Sequence, residues 1–232
     1  MKKVGLIIFI SALAIGVILA NVFSFGKTTA RFFNFSIGDK VCGSGNTASE
    51  KRDVADFQAI DVGGVFQVEI TAQKDFDVEI EADDNLLPLI KTEVRGGVLR
   101  LETEKSISSK NPIRVRISAP DIQNLEVSGA SKVSIANLSN ENLEIDSSGA
   151  SKVTVAGETA NLIVDVSGAS KIDAENLQTE NASIEASGAS AVSVYATNEL
   201  KADASGASSI VYQGSPKNFS NKTSGASSVR QK

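Results

Sequence analysis

Histidine and tryptophan are absent from this 232-residue chain, and cysteine occurs once. Without histidine the chain lacks the commonest general base and the commonest metal ligand. The lone Cys42 has no partner for an internal disulfide. Aromatic residues make up 5% and prolines number 4, which excludes an aromatic core and a proline-rich linker chain. Positive charge is also scarce where it would matter for nucleic acid. The net charge is −5, and from Asp121 onward 8 basic residues face 13 acidic ones, while residues 1–120 balance at 15 against 15. A nucleic-acid binder needs a basic face, so no nucleic-acid partner is expected.

What remains is aliphatic. Hydrophobic residues make up 41%, and Val, Ile, Leu and Ala recur in short alternating runs that favour β structure. The tetrapeptide Ser-Gly-Ala-Ser occurs six times, beginning at Ser128, Ser148, Ser167, Ser187, Ser205 and Ser224. Its successive intervals are 20, 19, 20, 18 and 19 residues, the mark of stacked units.

Aligned on the motif glycines Gly129, Gly149, Gly168, Gly188, Gly206 and Gly225, the repeats form columns. Leu125, Ile145, Val164, Ile184 and Ala202 stand four residues before the glycine, and Val133, Val153, Ile172, Val192 and Ile210 four after it. These columns predict an interior where similar side chains stack along one axis. About 19 residues per turn suits a coil of three short sides in a parallel β-helix. The glycine then serves a corner at positive φ, and the serines hydrogen-bond to backbone or to neighbouring coils. Six copies with no histidine do not make a catalytic serine. Asn221, Thr223 and Gln231 put polar residues in the last coil, as expected of a solenoid end.

Two outward columns carry charge. Glu126, Asp146, Asp165, Glu185 and Asp203 lie three residues before the glycine, followed by Lys222. Lys132, Lys152 and Lys171 lie three after it. The acids form a candidate outward ladder. Solvation and protection against edge pairing account for it, and a hard-cation site is the alternative reading. No catalytic residue, cofactor or metal site is assigned.

Upstream, residues 53–120 alternate with period 2 and read as less regular first coils of the same stack, with turns at Gly63-Gly64 and Gly96-Gly97. Asp84–Thr92 holds one short helical turn, limited by Pro88. Residues 27–52 read as a spacer, with the cluster Phe32, Phe33 and Phe35 at a membrane interface or capping the first coil. Residues 1–26 begin Met-Lys-Lys and continue with an uncharged apolar run over residues 4–25. This predicts a hydrophobic helix that is either a cleaved signal peptide or a signal anchor, and therefore an exported protein, membrane-anchored, periplasmic or at the cell surface. Gly38-Asp39-Lys40-Val41 before Cys42 lacks the small apolar tetrad that lipid attachment needs.

Gly43-Ser44-Gly45-Asn46, then Arg52-Asp53-Val54-Ala55-Asp56-Phe57-Gln58-Ala59-Ile60, the Gly63-Gly64 strand and the repeated Ser-Gly-Ala-Ser-Lys-Val carry a resemblance over residues 43–231. The chain resembles the bacterial family described as putative auto-transporter adhesin, head GIN domain. The resemblance implies a right-handed, single-stranded parallel β-helix on an exported protein. It supplies no catalytic residues.

Three functions follow as expectations. The first is a non-enzymatic envelope or surface module that binds glycans or proteins, or serves a structural role. The second is a polysaccharide-active enzyme, which would need carboxylates in unlike environments. The third is a surface-ligand binder working through an outward polar ladder, although the flat threonine array of an ice binder is missing.

Overall fold

A computed structural model describes residues 40–232, and Lys40–Lys232 form one compact unit. The hydrophobic helix expected over residues 1–26 and the aromatic cluster at Phe32–Phe35 lie outside the described residues. No helix among the described residues is long and apolar enough to cross a membrane.

The unit is an all-β solenoid. Its long strands Lys132–Ser147, Lys152–Val166 and Lys171–Ala186 run parallel and pair side by side. The ladder continues through Ala191–Tyr195 and Glu199–Ala204 to Asn218–Thr223 and Ser228–Gln231. Each coil has a segment leading into the glycine corner, a segment leaving it, and a third that bends away where the register shifts, between Ile135 and Leu138 in one coil and Thr154 and Ala156 in the next.

Alternation explains the core. On Asn124–Gly129, Leu125 and Val127 point inward at 1% and 0% exposure, while Glu126 is exposed. The same parity holds at Ile145, Val164, Ile184 and Ala202, so one column of aliphatic side chains fills the axis. Fully burying such a side chain contributes about 1.5–3 kcal/mol, and each packs on a near-identical neighbour one strand spacing away. A strand shifted by one residue would turn its whole apolar set outward.

Residues 53–120 depart from a single-stranded parallel coil. Ala59–Gly64 and Gln67–Thr71 do join the parallel stack, pairing with Asn124–Gly129 and Lys132–Ser147. Asp77–Asp83, however, pairs antiparallel with Arg114–Ser118, and Ile90–Arg95 pairs antiparallel with Val98–Thr103 through a two-residue Gly96-Gly97 turn. The reason is geometric. Val98–Thr103 and Arg114–Ser118 lie parallel beneath Ala59–Gly64 and Gln67–Thr71, the stack ends on them, and the antiparallel strands Ile90–Arg95 and Asp77–Asp83 cover that last layer. The expected helical turn is a 3-10 turn at Leu87–Leu89.

The spacer expectation also needs correction. The compact unit starts at Lys40, not at Asp53, and Thr47–Arg52 is a strand paired antiparallel with Asp77–Asp83. Its sequence, Thr-Ala-Ser-Glu-Lys-Arg, turns only Ala48 toward the core, because this edge strand is mostly exposed. It is held by backbone hydrogen bonds and by surface pairs such as Lys51 Nζ to Asp77 Oδ1 at 2.8 Å.

One buried carboxylate locks this end. Asp83 is 0% exposed. It accepts the Lys110 backbone N–H at 2.8 Å, Asn111 Nδ2 at 2.6 Å and Ser109 Oγ at 3.2 Å. A Cβ on Gly43 would overlap the Asp83 carboxylate, so only glycine lets the Gly-Ser-Gly-Asn stretch lie across it. The Lys110 amide, with Asn111 and Ser109, holds the Asp83 carboxyl below the usual aspartate range, against the opposing effect of burial. A depressed folded pKa stabilises above the unfolded value, and that stability is lost as pH falls through the folded one. Asp83→Asn is therefore expected to lower the thermal midpoint at neutral pH and to flatten the loss of stability below about pH 4. Melting curves across pH 2–7 for both proteins check this; parallel curves would show that the carboxylate is not the acid-sensitive lock.

Candidate functional site

The corners position everything outward of them. All six motif glycines lie at positive φ, between +72° and +87°. Each sits directly over the glycine of the coil before it, and Gly129 sits over Gly64. The stacked backbones are tied by hydrogen bonds such as Ala169 N–H to Gly149 O and Ala189 N–H to Gly168 O, both 2.8 Å. The two serines of the motif part company. The second turns inward: Ser131, Ser151, Ser170, Ser190 and Ser208 are 1–3% exposed. Its hydroxyl donates to carbonyls, as Ser208 Oγ does to Ser205 O at 2.8 Å and to Ala186 O at 3.1 Å. The hydroxyls thus satisfy the turn's own backbone rather than facing solvent as nucleophiles.

The strand entering each corner brings the acidic side chains into one line. Glu126 registers with Asp146, Asp146 with Asp165, Asp165 with Glu185, and Glu185 with Asp203. The ladder is longer than the repeats indicate, because Asp61 registers with Glu126 one coil earlier. It is closed by a cation at each end. Arg100 registers with Asp61 and lies 3.7 Å from it, and Lys222 registers with Asp203 at 3.6 Å. Six carboxylates therefore stand at strand spacing, about 4.8 Å apart, between two terminal positive charges.

Mutual repulsion at that spacing is on the order of 1 kcal/mol per neighbour in water. It acts unevenly. The Asp146 carboxyl is pushed above the usual aspartate range, first by partial burial and then by Glu144 and Asp165. A raised folded pKa makes the charged form a destabilising contribution, present above the folded pKa and relieved as pH falls through it. Asp146→Asn is expected to stabilise the fold at neutral pH by no more than about 0.5 kcal/mol after solvent screening, with the gain vanishing in acid. Denaturant midpoints at neutral and acidic pH test it, and a loss of stability at neutral pH would contradict it.

The lysine column is also in register. Lys132 pairs with Lys152 and Lys152 with Lys171, then Ala191, Ser209 and Ser228 follow. A third ladder was not read from the sequence. Asn198 Nδ2 donates to Asn181 Oδ1, Asn181 to Asn161 and Asn161 to Asn142, at 2.8–3.0 Å. This amide stack runs across four consecutive coils. Its signal was available as Asn-x-x-Ile or Asn-x-x-Val ahead of three corners, but it carries no motif as conspicuous as Ser-Gly-Ala-Ser. Asp61 was equally available, three residues before Gly64, and is missed because Gly63-Gly64-Val65-Phe66 has no serine.

Among the described residues no three carboxylate or thiol side chains converge as a metal site. Cys42 is an exposed free thiol. The carboxylates lie in a line rather than around a point, so the arrangement presents an extended charged face and not a coordination sphere.

Fold and surface together define a β-solenoid that displays repeated side-chain ladders. Residues 56–216 match the family described as putative auto-transporter adhesin, head GIN domain, and the chain belongs to that family. No curated protein matches the chain. Among solved structures, a putative adhesin from Bacteroides fragilis aligns at 23% identity and a TM-score of 0.69, over 83% of this chain and 100% of that one. A putative lipid binding protein from Parabacteroides distasonis aligns at 22% identity and a TM-score of 0.53, over 83% of this chain and 99% of that one. A putative adhesin from Parabacteroides merdae aligns at 18% and 0.55, over 84% and 99%. At these identities the likeness is one of fold.

Proposed function

We propose that this protein is a non-catalytic binding module of the bacterial cell envelope, a right-handed solenoid that engages its partner through the acidic ladder. The observation that carries the reading is the ladder itself: six carboxylates in unbroken register from Asp61 to Asp203, ended by Arg100 and Lys222. A face that repeats at strand spacing suits a partner that is itself repetitive, such as an envelope glycan or an extended protein segment. Membership of an adhesin-like family supports display outside the cytoplasm, as does the charged-then-apolar N-terminus. The right-handed sense rests on the general handedness of parallel crossovers.

The test is a binding screen of residues 27–232, which retain the whole core of Lys40–Lys232, against glycan arrays and solubilised envelope fractions. A variant combining Glu126→Gln, Asp146→Asn, Asp165→Asn and Glu185→Gln is expected to lose the binding while keeping its fold. Binding that persists unchanged in this variant would remove the ladder from the reading.

A polysaccharide-active enzyme is the second reading: Asp146 stands in register between Glu126 and Asp165, and partial burial with Glu144 and Asp165 pushes its carboxyl above the usual aspartate range, the kind of asymmetry an acid–base pair needs. Turnover of uronic-acid polymers that is abolished by Asp146→Asn would favour it over the binding module.

A further inference from the structure

A groove of about 690 Å³ lies beside the first corner, apart from the acidic ladder. Val65 and Pro112, both exposed, and the half-buried Ile107 line it as an apolar surface over the buried Ile113. Val65 is 69% exposed, the most exposed of the large hydrophobic residues described. Lys40, Lys110 and Lys132 also line it, and no Asp or Glu does. In a chain of net charge −5 this is a local reversal of sign. Lys110 Nζ donates to Ser44 O at 3.1 Å, which leaves further N–H groups of the ammonium for a ligand.

The wall is preformed. Asp83 pins Ser109, Lys110 and Asn111 in place. Three backbone acceptors along the wall are already used: Ser106 O takes the Val41 N–H, Ser108 O the Gly43 N–H and Ile113 O the Gln67 N–H. A peptide adding as a strand would need those groups. An alkyl chain needs none of them, only apolar contact, and the volume falls in the range of small-ligand sites.

We propose that this groove binds a single-chain fatty carboxylate, with its tail on the surface of Val65, Ile107 and Pro112 and its anionic head among Lys40, Lys110 and Lys132. The inference is independent of the ladder and of any partner bound there.

Titration of residues 27–232 with dodecanoate, below its micellar concentration and followed by calorimetry, tests it. Saturable binding of one molecule per chain is expected. Lys110→Glu combined with Lys132→Glu is expected to weaken it about tenfold or more, and Val65→Asp to do the same. Lys171→Glu, in the lysine column but outside the groove, leaves it unchanged. Dodecyltrimethylammonium, with the same tail and the opposite head charge, is expected to bind at least about tenfold more weakly. Thermal midpoints confirm that each variant is folded. The proposal is overturned if the two amphiphiles bind alike, if Lys171→Glu weakens binding as much as the double variant, or if an acidic apolar peptide binds where dodecanoate does not.

Discussion

Gly168→Ala is expected to cost about 3 kcal/mol of stability, an unusually large effect for the addition of one methyl group. Two causes add. The residue sits at φ +73°, where a side chain costs about 1–2 kcal/mol. The new Cβ would also stand 2.5 Å from Gly149 O and 3.1 Å from Gly149 N. Neither backbone can retreat freely, because Ala169 N–H holds Gly149 O at 2.8 Å and Ala189 N–H holds Gly168 O at the same distance. Relief of the overlap therefore breaks the corner stack. The thermal midpoint is expected to fall by roughly 6–12 °C. Gly96→Ala supplies the control. Gly96 lies at φ +59° but a Cβ there meets nothing within 4 Å, so only the backbone cost of about 1–2 kcal/mol applies. Equal losses at the two sites would mean that close stacking of the corners does not limit the side chain.

Phe66→Ala is expected to cost about 3–5 kcal/mol. Phe66 is 2% exposed and follows the Gly64 corner at the position that Ser131 takes one coil later. Its backbone N–H donates to Ser131 Oγ at 3.1 Å. Beneath this level Val98–Thr103 and Arg114–Ser118 continue the parallel stack without a Ser-Gly-Ala-Ser corner, and a large ring fills volume that a serine leaves in later coils. Phe219→Ala is the comparison, since Phe219 is 43% exposed and rests on Tyr212 with ring centroids 5.0 Å apart. That change is expected to cost less than about 1.5 kcal/mol. Denaturant unfolding of the two variants measures the difference. If Phe66→Ala costs no more than Phe219→Ala, the ring is not the plug of the first coil.

The regular coils were legible because a solenoid writes its geometry into the chain. One corner glycine per coil, at intervals of 18–20 residues, sets the register of every column beside it. The outward line from Glu126 to Asp203 then follows by counting three residues back from each glycine. The first coil was less legible because it obeys a different demand. Here Phe66 replaces the inward serine and Val65 the small alanine, and the Ser-Gly-Ala-Ser signature disappears while the stacking continues through Gly64. Thr47–Arg52 was unreadable as a strand for a related reason. An exposed edge strand needs only backbone partners, and these are supplied by Asp77–Asp83 some thirty residues later.

By itself the sequence determined the solenoid class, the interior columns, the glycine corners and the run of acids beside them, since all depend on spacing repeated along the chain. Tertiary structure alone decided how the ends are closed. It set Asp61 and Arg100 at one end of the ladder. It also buried Asp83 under the Gly43 stretch and gathered Lys40, Lys110 and Lys132 around one apolar groove. Lys40, Gly43, Asp83, Arg100 and Lys110 follow no repeat of the chain, so only the path of the folded backbone brings them against their partners.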